Sequence, residues 1–450
     1  MPKKKTALTI EERLQQALVP AEEQPYAVPE NWVWVRLGAV CYASKEKSND
    51  FSNDIKYVGL EHLEKDKGIV GFSSADKVKS TKNAFKEGQI LYGRLRPYLN
   101  KHDITSFDGV CSTDILVFEA TNLVANVLVD KFFNLPFFIE YVVSNSKGIN
   151  LPRVSEETVL NTTFPLPPLS EQQRIVERIE ELFAKLDEAK ERLQEVAESF
   201  AVRKAAILHK AFTGELTKQW RRENGVSDES WEERLLGDVC TVNPKKIDAK
   251  NLDDNLEVSF VPMAAVSDVL GEIVNHEVKN LQDVRTGFTN FSKGDVIFAK
   301  ITPCMENGKS AIVGTLVNDI GYGSTEFYVL RCNEELNNKY LYHMVRNTTF
   351  RAEAKAVMTG AVGQQRVPKT FLQEYQLLLP TLPEQHEIVR LIDDLLARER
   401  TAQQAAEQAL ASIDLMKKSI LARAFRGELG TNKASEASAL ELLKQVLAED

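Results

Sequence analysis

The sequence contains one long pattern twice, and a chain with two copies of a pattern folds as two related halves. Residues 207–216 (ILHKAFTGEL) align with residues 420–429 (ILARAFRGEL), 213 positions on, and seven of the ten are identical. Residues 166–172 (LPPLSEQ) answer to 379–385 (LPTLPEQ) at the same offset, and 32–41 (WVWVRLGAVC) answer to 231–240 (WEERLLGDVC). A solenoid repeat runs to roughly 20–50 residues, so a period near 200 describes a domain with a helix attached. Two such halves imply a pseudo-twofold axis and a ligand that itself has two related parts.

At 450 residues the chain is long enough for two or three domains with their own cores. No apolar run approaches the roughly 20 residues of a membrane helix. The basic start (MPKKK) leads into TALTIEER without the apolar core of a signal peptide, which predicts a cytoplasmic protein. Cys41, Cys111, Cys240, Cys304 and Cys332 are scattered and never spaced C-x-x-C, and no H-E-x-x-H occurs. That pattern predicts no zinc site and suits a reducing compartment. A net charge of −9 argues against a free-standing nucleic-acid binder, which usually carries a basic surplus. A DNA reader inside a larger assembly escapes this objection, because partners can supply the phosphate-binding charge.

Along the chain, residues 1–27 read as an extension. Leu8, Ile10, Leu14, Ala17 and Leu18 are spaced for a short amphipathic helix before Pro20. Residues 28–165 read as a mixed α/β unit, with strand-like runs at 89–92 and 114–118 between turn signals. Residues 227–378 repeat it, with matching runs at 295–298 and 327–330. The offset between the copies drifts from 199 (Gly38 to Gly237) through 206 (Gly88 to Gly294) to 213 (Arg153 to Arg366). A shared core with divergent loops suits two domains that read different ligands on one scaffold.

A helical region follows each unit, at 166–218 and 379–430, with a linker at 219–226 and a helical tail at 431–450. Pro167 and Pro168 fix the start of the first long helix, and Ser170 is the expected N-cap. Ile175, Ile179, Leu182, Leu186, Ala189, Leu193, Val196 and Phe200 recur in alternating steps of four and three, a coiled-coil seam. The second seam is Ile388, Ile392, Leu395, Glu399, Ala402, Ala406, Ala409 and Ile413. Large residues on one helix against alanines on the other suit an antiparallel pair. The fold class expected is therefore α+β: two mixed α/β domains separated by two long antiparallel coiled-coil helices. In the tail, Leu440, Leu443, Val446 and Leu447 are spaced to pack beside the N-terminal helix.

Three segments approach catalytic motifs without completing them. Asn134-Leu135-Pro136-Phe137 lacks the first proline of an adenine methyltransferase signature, and no glycine-rich loop accompanies it. Residues 307–310 (NGKS) end like a P-loop, but Pro303 stands where its first glycine belongs. Glu188–Lys190 and Glu353–Lys355 match the end of a nuclease motif, yet the chain has no Pro-Asp dipeptide. With no nucleophile, metal cluster or cofactor loop, the residues read as a recognition protein. The competing reading is a coiled-coil adaptor whose globular units bind proteins.

The arrangement resembles the specificity subunit of type I restriction–modification systems, over residues 28–430. Three signatures carry the resemblance, each present twice and in order. They are L-P-x-L-x-E-Q at 166–172 and 379–385, A-F-x-G-E-L at 211–216 and 424–429, and G-x-[IV]-[LI]-[YF]-x-[KR]-[LI]-x-P at 88–97 and 294–303. The resemblance implies two target recognition domains, each reading half of a split double-stranded DNA sequence in the major groove. It implies that the helices set the unread spacer and dock two modification (methyltransferase) subunits, which ATP-dependent restriction subunits then join. It places S-adenosylmethionine, ATP and magnesium on those partners, leaving this chain without a cofactor or catalytic residue.

Base-edge contacts specify sequence, with arginine suited to guanine and asparagine or glutamine to adenine. In the first domain the candidates for DNA contact are Arg94, Arg96, Tyr98, Asn100 and Lys101. Lys147, Asn150 and Arg153 join them from the polar loop at 144–150 and just beyond it. In the second they are Lys300, Thr302, Asn307, Lys309, Thr359, Gln364, Gln365 and Arg366. Arg153 and Arg366 occupy matched positions, so they serve phosphate or structure rather than sequence choice.

Overall fold

The computed structural model describes residues 9–49, 52, 54–77, 80–247, 251–361 and 363–449. The chain forms two compact units, Met1–Leu193 with Gln408–Asp450, and Gln194–Glu407. The long helices Leu169–Phe212 and Leu382–Ala424 each contribute to both units.

In the first unit, Ile90–Gly93 is buried at every position because it is sandwiched in mid-sheet. It pairs antiparallel with His102–Ile104 on one side and Ile115–Ala120 on the other, and Cys41–Ala43 completes that sheet. A second sheet is centred on Gly109–Cys111, parallel to Lys56–Val58 and antiparallel to Lys82–Phe85. The ribbon Val33–Arg36 with Thr163–Leu166 joins the beginning of the domain to its end, where the first long helix starts.

The second unit repeats this plan. Its first sheet runs Cys240–Val242, Phe327–Cys332, Val296–Ala299, Ser310–Ile312. Gly321–Gly323 again lies parallel to one neighbour, Glu257–Val261, and antiparallel to the other, Thr289–Phe291. Glu232–Leu235 with Gln376–Leu379 forms the matching ribbon. The expected strands and the internal duplication are all present, with strand ends displaced by a residue or two.

The repeated motifs prove to be clasps. In the first unit, fully buried Glu171 accepts hydrogen bonds from Trp32 Nε1 (2.7 Å), Thr431 Oγ1 (3.0 Å) and Asn432 Nδ2 (2.8 Å). In the second, fully buried Glu384 accepts from Thr217 Oγ1 (2.6 Å) and Arg221 Nη1 (2.7 Å). The glutamate that opens one long helix thus holds the segment that leaves the other. The neighbouring glutamines tie the same helix starts to their domains. Gln172 donates to the carbonyls of Leu123 (2.8 Å) and Pro167 (3.1 Å), and Gln385 to those of Glu335 (2.8 Å) and Pro380 (2.9 Å). Ser170 is not the cap, because the helix begins one residue earlier and the Pro168 carbonyl accepts from the amides of Glu171 and Gln172.

The A-F-x-G-E-L signature has an equally physical reading. Its phenylalanine plugs a domain core: Phe425 lies edge-on to Phe132 (5.7 Å), and Phe212 edge-on to Tyr340 (5.2 Å). Its glycine turns the chain away at positive φ, +77° at Gly214 and +72° at Gly427, where other residues are strained. At Gly427 a β-carbon would also fall 2.4 Å from Pro29 Cγ.

Within each unit the two helix segments run antiparallel. In the first unit Asp187 meets Lys417 (2.5 Å) and Lys190 meets Asp414 (3.8 Å), so numbering rises on one helix as it falls on the other. In the second, Arg203 meets Glu399 (2.8 Å). Ile175, Ile179, Phe200, Ile388, Ile392, Ala406 and Ile413 are buried, while Leu182, Leu186, Leu193 and Leu395 are half-buried. Val196 departs from the expected seam. It is 43% exposed and Ala197 is the half-buried residue beside it. The stripe runs Leu193, Ala197, Phe200, a step of four and then three in place of three and then four, which leaves Val196 beside it.

Leu8 lies outside the described residues. The remaining N-terminal pattern forms Ile10–Ala17, capped by Thr9 and Glu12, and it packs on the tail helix Ala439–Glu449. Residues 219–226, read as a linker, lie largely in the helix Lys218–Asn224, which carries buried Arg221 into the Glu384 clasp. No described helix is long and apolar enough to cross a membrane.

Candidate nucleic-acid interface

Each domain carries a loop drawn closed by its own ends. In the first, Lys147 and Arg153 exchange backbone hydrogen bonds (2.9 and 2.8 Å), and the Arg96 amide donates to Pro152 O (2.7 Å). In the second, Thr359 and Arg366 exchange the same pair (3.0 and 2.8 Å), and the Thr302 amide donates to Gln365 O (3.0 Å). The loop is therefore laid against the segment that follows a central strand, Ile90–Gly93 or Val296–Ala299. Two stretches far apart in sequence become one surface.

A matched ion pair locks each assembly. Arg153 grips Asp114 with two bonds (2.9 and 3.3 Å), and Arg366 grips Glu326 likewise (2.9 and 2.7 Å). These bonds hold both guanidinium groups above the usual arginine range. Their matched positions suggested a phosphate-binding or structural role, and in the structure both arginines hold their loops through these ion pairs.

The remaining candidates divide by exposure. Arg96, Tyr98, Lys147 and Asn150 are exposed in the first domain, and Asn307, Thr359 and Gln364 in the second. Arg96 adopts φ +52°, a strained conformation for a side chain other than glycine, which turns the chain at the loop junction. Asn100 is corrected to a structural residue. It is 7% exposed, and its amide donates to Phe133 O (3.0 Å) and faces His102 and Asn134. Arg94 is half-buried with Nε donating to Val154 O (3.3 Å), and Lys300 lies over the Tyr328 ring (5.1 Å). Thr302 and Gln365 are half-buried and bonded to each other through the Thr302 hydroxyl and the Gln365 amide (3.2 Å).

Lys101 and Lys309 are corrected too. Lys101 Nζ donates to Leu60 O (2.9 Å) and Lys309 Nζ to Met263 O (3.2 Å), carbonyls at matched places in the two domains. The signal for this was their equivalence in the duplicated pattern. Replacing Lys309 with alanine is expected to cost about 1 kcal/mol of stability, the scale of one lost hydrogen bond, and to leave target choice unchanged. Thermal unfolding and target mapping on the variant check both halves of that statement.

Sequence reasoning passed over the apolar tip of the first loop. Ile149 is 99% exposed and Leu151 is 46% exposed, beside Lys147 and Asn150. Among the described residues no three His, Cys, Asp or Glu side chains gather as a metal site would require. The incomplete catalytic motifs lie on ordinary elements. Pro136 opens the helix Pro136–Ser144, and both E-x-K triplets lie within helices, Leu169–Phe212 and Thr348–Ala356.

Two α+β domains with differing surface loops, each clasped to a segment of both long helices, define a duplicated paired-helix class of protein. The chain belongs to the family described as the type I restriction modification DNA specificity domain, whose model matches residues 29–198 and 228–409. It is 33% identical over 263 residues to the type I restriction enzyme EcoEI specificity subunit of Escherichia coli, a match spanning 49% of this chain and less than half, 44%, of that one. It is 24% identical over 459 residues to the StySPI specificity subunit of Salmonella potsdam, covering 94% of this chain and 96% of the relative. The fold is shared with the HsdS subunit from Thermoanaerobacter tengcongensis, with TM-score 0.67, 22% identity, and coverage of 90% and 99% of the two chains.

Proposed function

We propose that this chain is the non-catalytic DNA-recognition subunit of a type I restriction–modification complex. Each domain reads one half of an asymmetric, bipartite target through the major groove. The paired helices set the unread spacer and dock two modification subunits, and restriction subunits join that core in the cytoplasm. S-adenosylmethionine, ATP and magnesium sit on those partners, whose charge offsets the −9 of this chain. One observation carries the reading: the two domains lock equivalent loops with equivalent ion pairs, Arg153–Asp114 and Arg366–Glu326, yet present different side chains on them. A scaffold that holds loop position constant while varying loop chemistry suits two readers of different half-sites. The family membership agrees, and it leaves the adaptor reading without support.

The exposed set supplies the contacts. Arg96, Lys147 and Asn150 serve the first half-site, with Tyr98 stacking or packing on the backbone. Asn307, Thr359 and Gln364 serve the second. Each good base contact discriminates by about 1–3 kcal/mol. The triple variant Arg96→Ala, Lys147→Ala, Asn150→Ala is expected to abolish methylation set by the first half-site in cells carrying the modification partner. Genome-wide methylation mapping reads this out. A variant that still methylates the same split motif would refute the assignment of this loop.

A further inference from the structure

The second unit contains a cavity of about 630 Å³ that none of the candidate reading residues lines. Lys204 of the first long helix, Arg400 of the second, and Lys339 and Arg346 of the helix Asn338–Arg346 line it. Asp393 and Glu272 are its only lining carboxylates, so four cations face two anions. Asp393 is already shared by Lys339 and His343, at 3.0 Å each. Arg346 donates to the carbonyls of Gly308 and Asp268 (both 2.8 Å), which hold it in place without neutralising it or using all five of its N–H groups. Lys204 and Arg400 form no hydrogen bond or ion pair among the described residues.

The duplication shows what is unusual here. A shift of 213 residues places Lys204 at Lys417 and Arg400 at Asp187. In the first unit Lys417 and Asp187 are an ion pair at 2.5 Å. A second pair there, Lys190 with Asp414, corresponds to Gln403 and Ala201 in the second unit. Both carboxylates have thus been exchanged, one of them for an arginine. Arg203 and Glu399 pair with each other and leave the excess untouched. Lys204 keeps part of its surface in solvent, but desolvation, then Arg346, Arg351 and Arg400, hold its ammonium below the usual lysine range. Lys204, Lys339 and Arg400 are exposed, so solvent screens the excess, which attracts an anion into the space rather than requiring one. Leu208, Leu270, Leu316 and Leu396 give the cavity an apolar side as well.

We propose that this cavity binds a phosphate group through Lys204, Arg400 and Arg346, from either a free nucleotide or the phosphodiester backbone of bound DNA. The apolar side suits the organic part of a nucleotide, and the volume lies within the roughly 300–1,000 Å³ of small-molecule sites. The inference is drawn from the charge pattern of the second unit and is independent of the reading loops; its backbone source rests on the DNA-recognition reading, whereas its free-nucleotide source goes beyond it.

The test uses the full chain, pyrophosphate and magnesium-free ATP as probes, and the variant Arg400→Asp. That variant recreates the charge arrangement of Lys417 and Asp187, so the fold is expected to be kept, with a melting temperature at or above the parent's. Calorimetric titration should show binding to the parent and at least a tenfold loss in the variant. Lys204→Met, which removes charge and retains length, should show the same loss. If neither probe binds the parent, the backbone source is tested next. The assembled complex with Arg400→Asp should then lose about one unit from its salt slope for duplex DNA. Unchanged probe binding in both variants, or no probe binding together with an unchanged slope, would overturn the proposal.

Discussion

Replacing Glu384 with alanine is expected to destabilise the second unit by about 3–5 kcal/mol, the scale for breaking a buried ion pair from one side. Glu384 is fully buried and receives Thr217 and Arg221, while Arg221 is only 5% exposed. Without the carboxylate, Arg221 keeps the Gly214 carbonyl (2.9 Å) and Asp228 (3.0 Å). The Asp228 side chain is 63% exposed, so solvent screens much of its attraction. The loss should therefore approach the full range. Denaturant unfolding measures its size, and hydrogen exchange at amides 214–221 locates it. A variant within 1 kcal/mol of the parent would show that the clasp contributes little.

The equivalent clasp of the first unit makes a useful contrast. Glu171 receives only neutral donors, from Trp32, Thr431 and Asn432. In the second unit Arg221 supplies what Asn432 supplies in the first, and the equivalents of the Trp32–Glu171 bond are open. Trp231 Nε1 and Glu384 Oε2 are both buried without a partner. The two clasps thus share a design and differ in charge, which makes the second the more sensitive to losing its glutamate.

Much of this was legible in the residues. Short strand-like runs between turn signals located the central strands, and the four-three spacing of Ile175 to Phe200 located a long helix. The motifs were legible as motifs, but not as clasps, because Glu171 and Thr431 are 260 positions apart and nothing local links them. The exposed surface of the loop region was half legible. Position after a strand and polar composition selected Arg96, Lys147 and Asn150, which are exposed. The same criteria admitted Asn100, Lys101 and Lys309, since burial against Phe133, Leu60 or Met263 depends on tertiary packing. The lock formed by Arg153 was foreshadowed by its match to Arg366, whereas its carboxylate partner required the fold. The cavity charge was invisible until duplication and structure were combined, because Arg400 on a helix surface looks like any solvated arginine.

A chain ending at residue 226 is expected to form a homodimer and, with its modification partner, to methylate a palindromic target made of two copies of the first half-site. The clasps provide the reason. This piece keeps Trp32 and Glu171 at the start of its helix, and Thr217 and Arg221 beyond its end. Each copy can present Thr217 and Arg221 to the Glu171 of the other, as they are presented to Glu384 in the full chain. Phe212 likewise can fill the place of Phe425 against Phe132. An interface that uses the same patch on both copies closes as a dimer. The piece loses the tail helix Ala439–Glu449 over Leu14 and Ala17, so the dimer should be weaker than the intact clasp. Light scattering gives the mass, and methylation mapping gives the motif. A monomer that leaves the genome unmodified would mean that the two halves, although built alike, are no longer interchangeable.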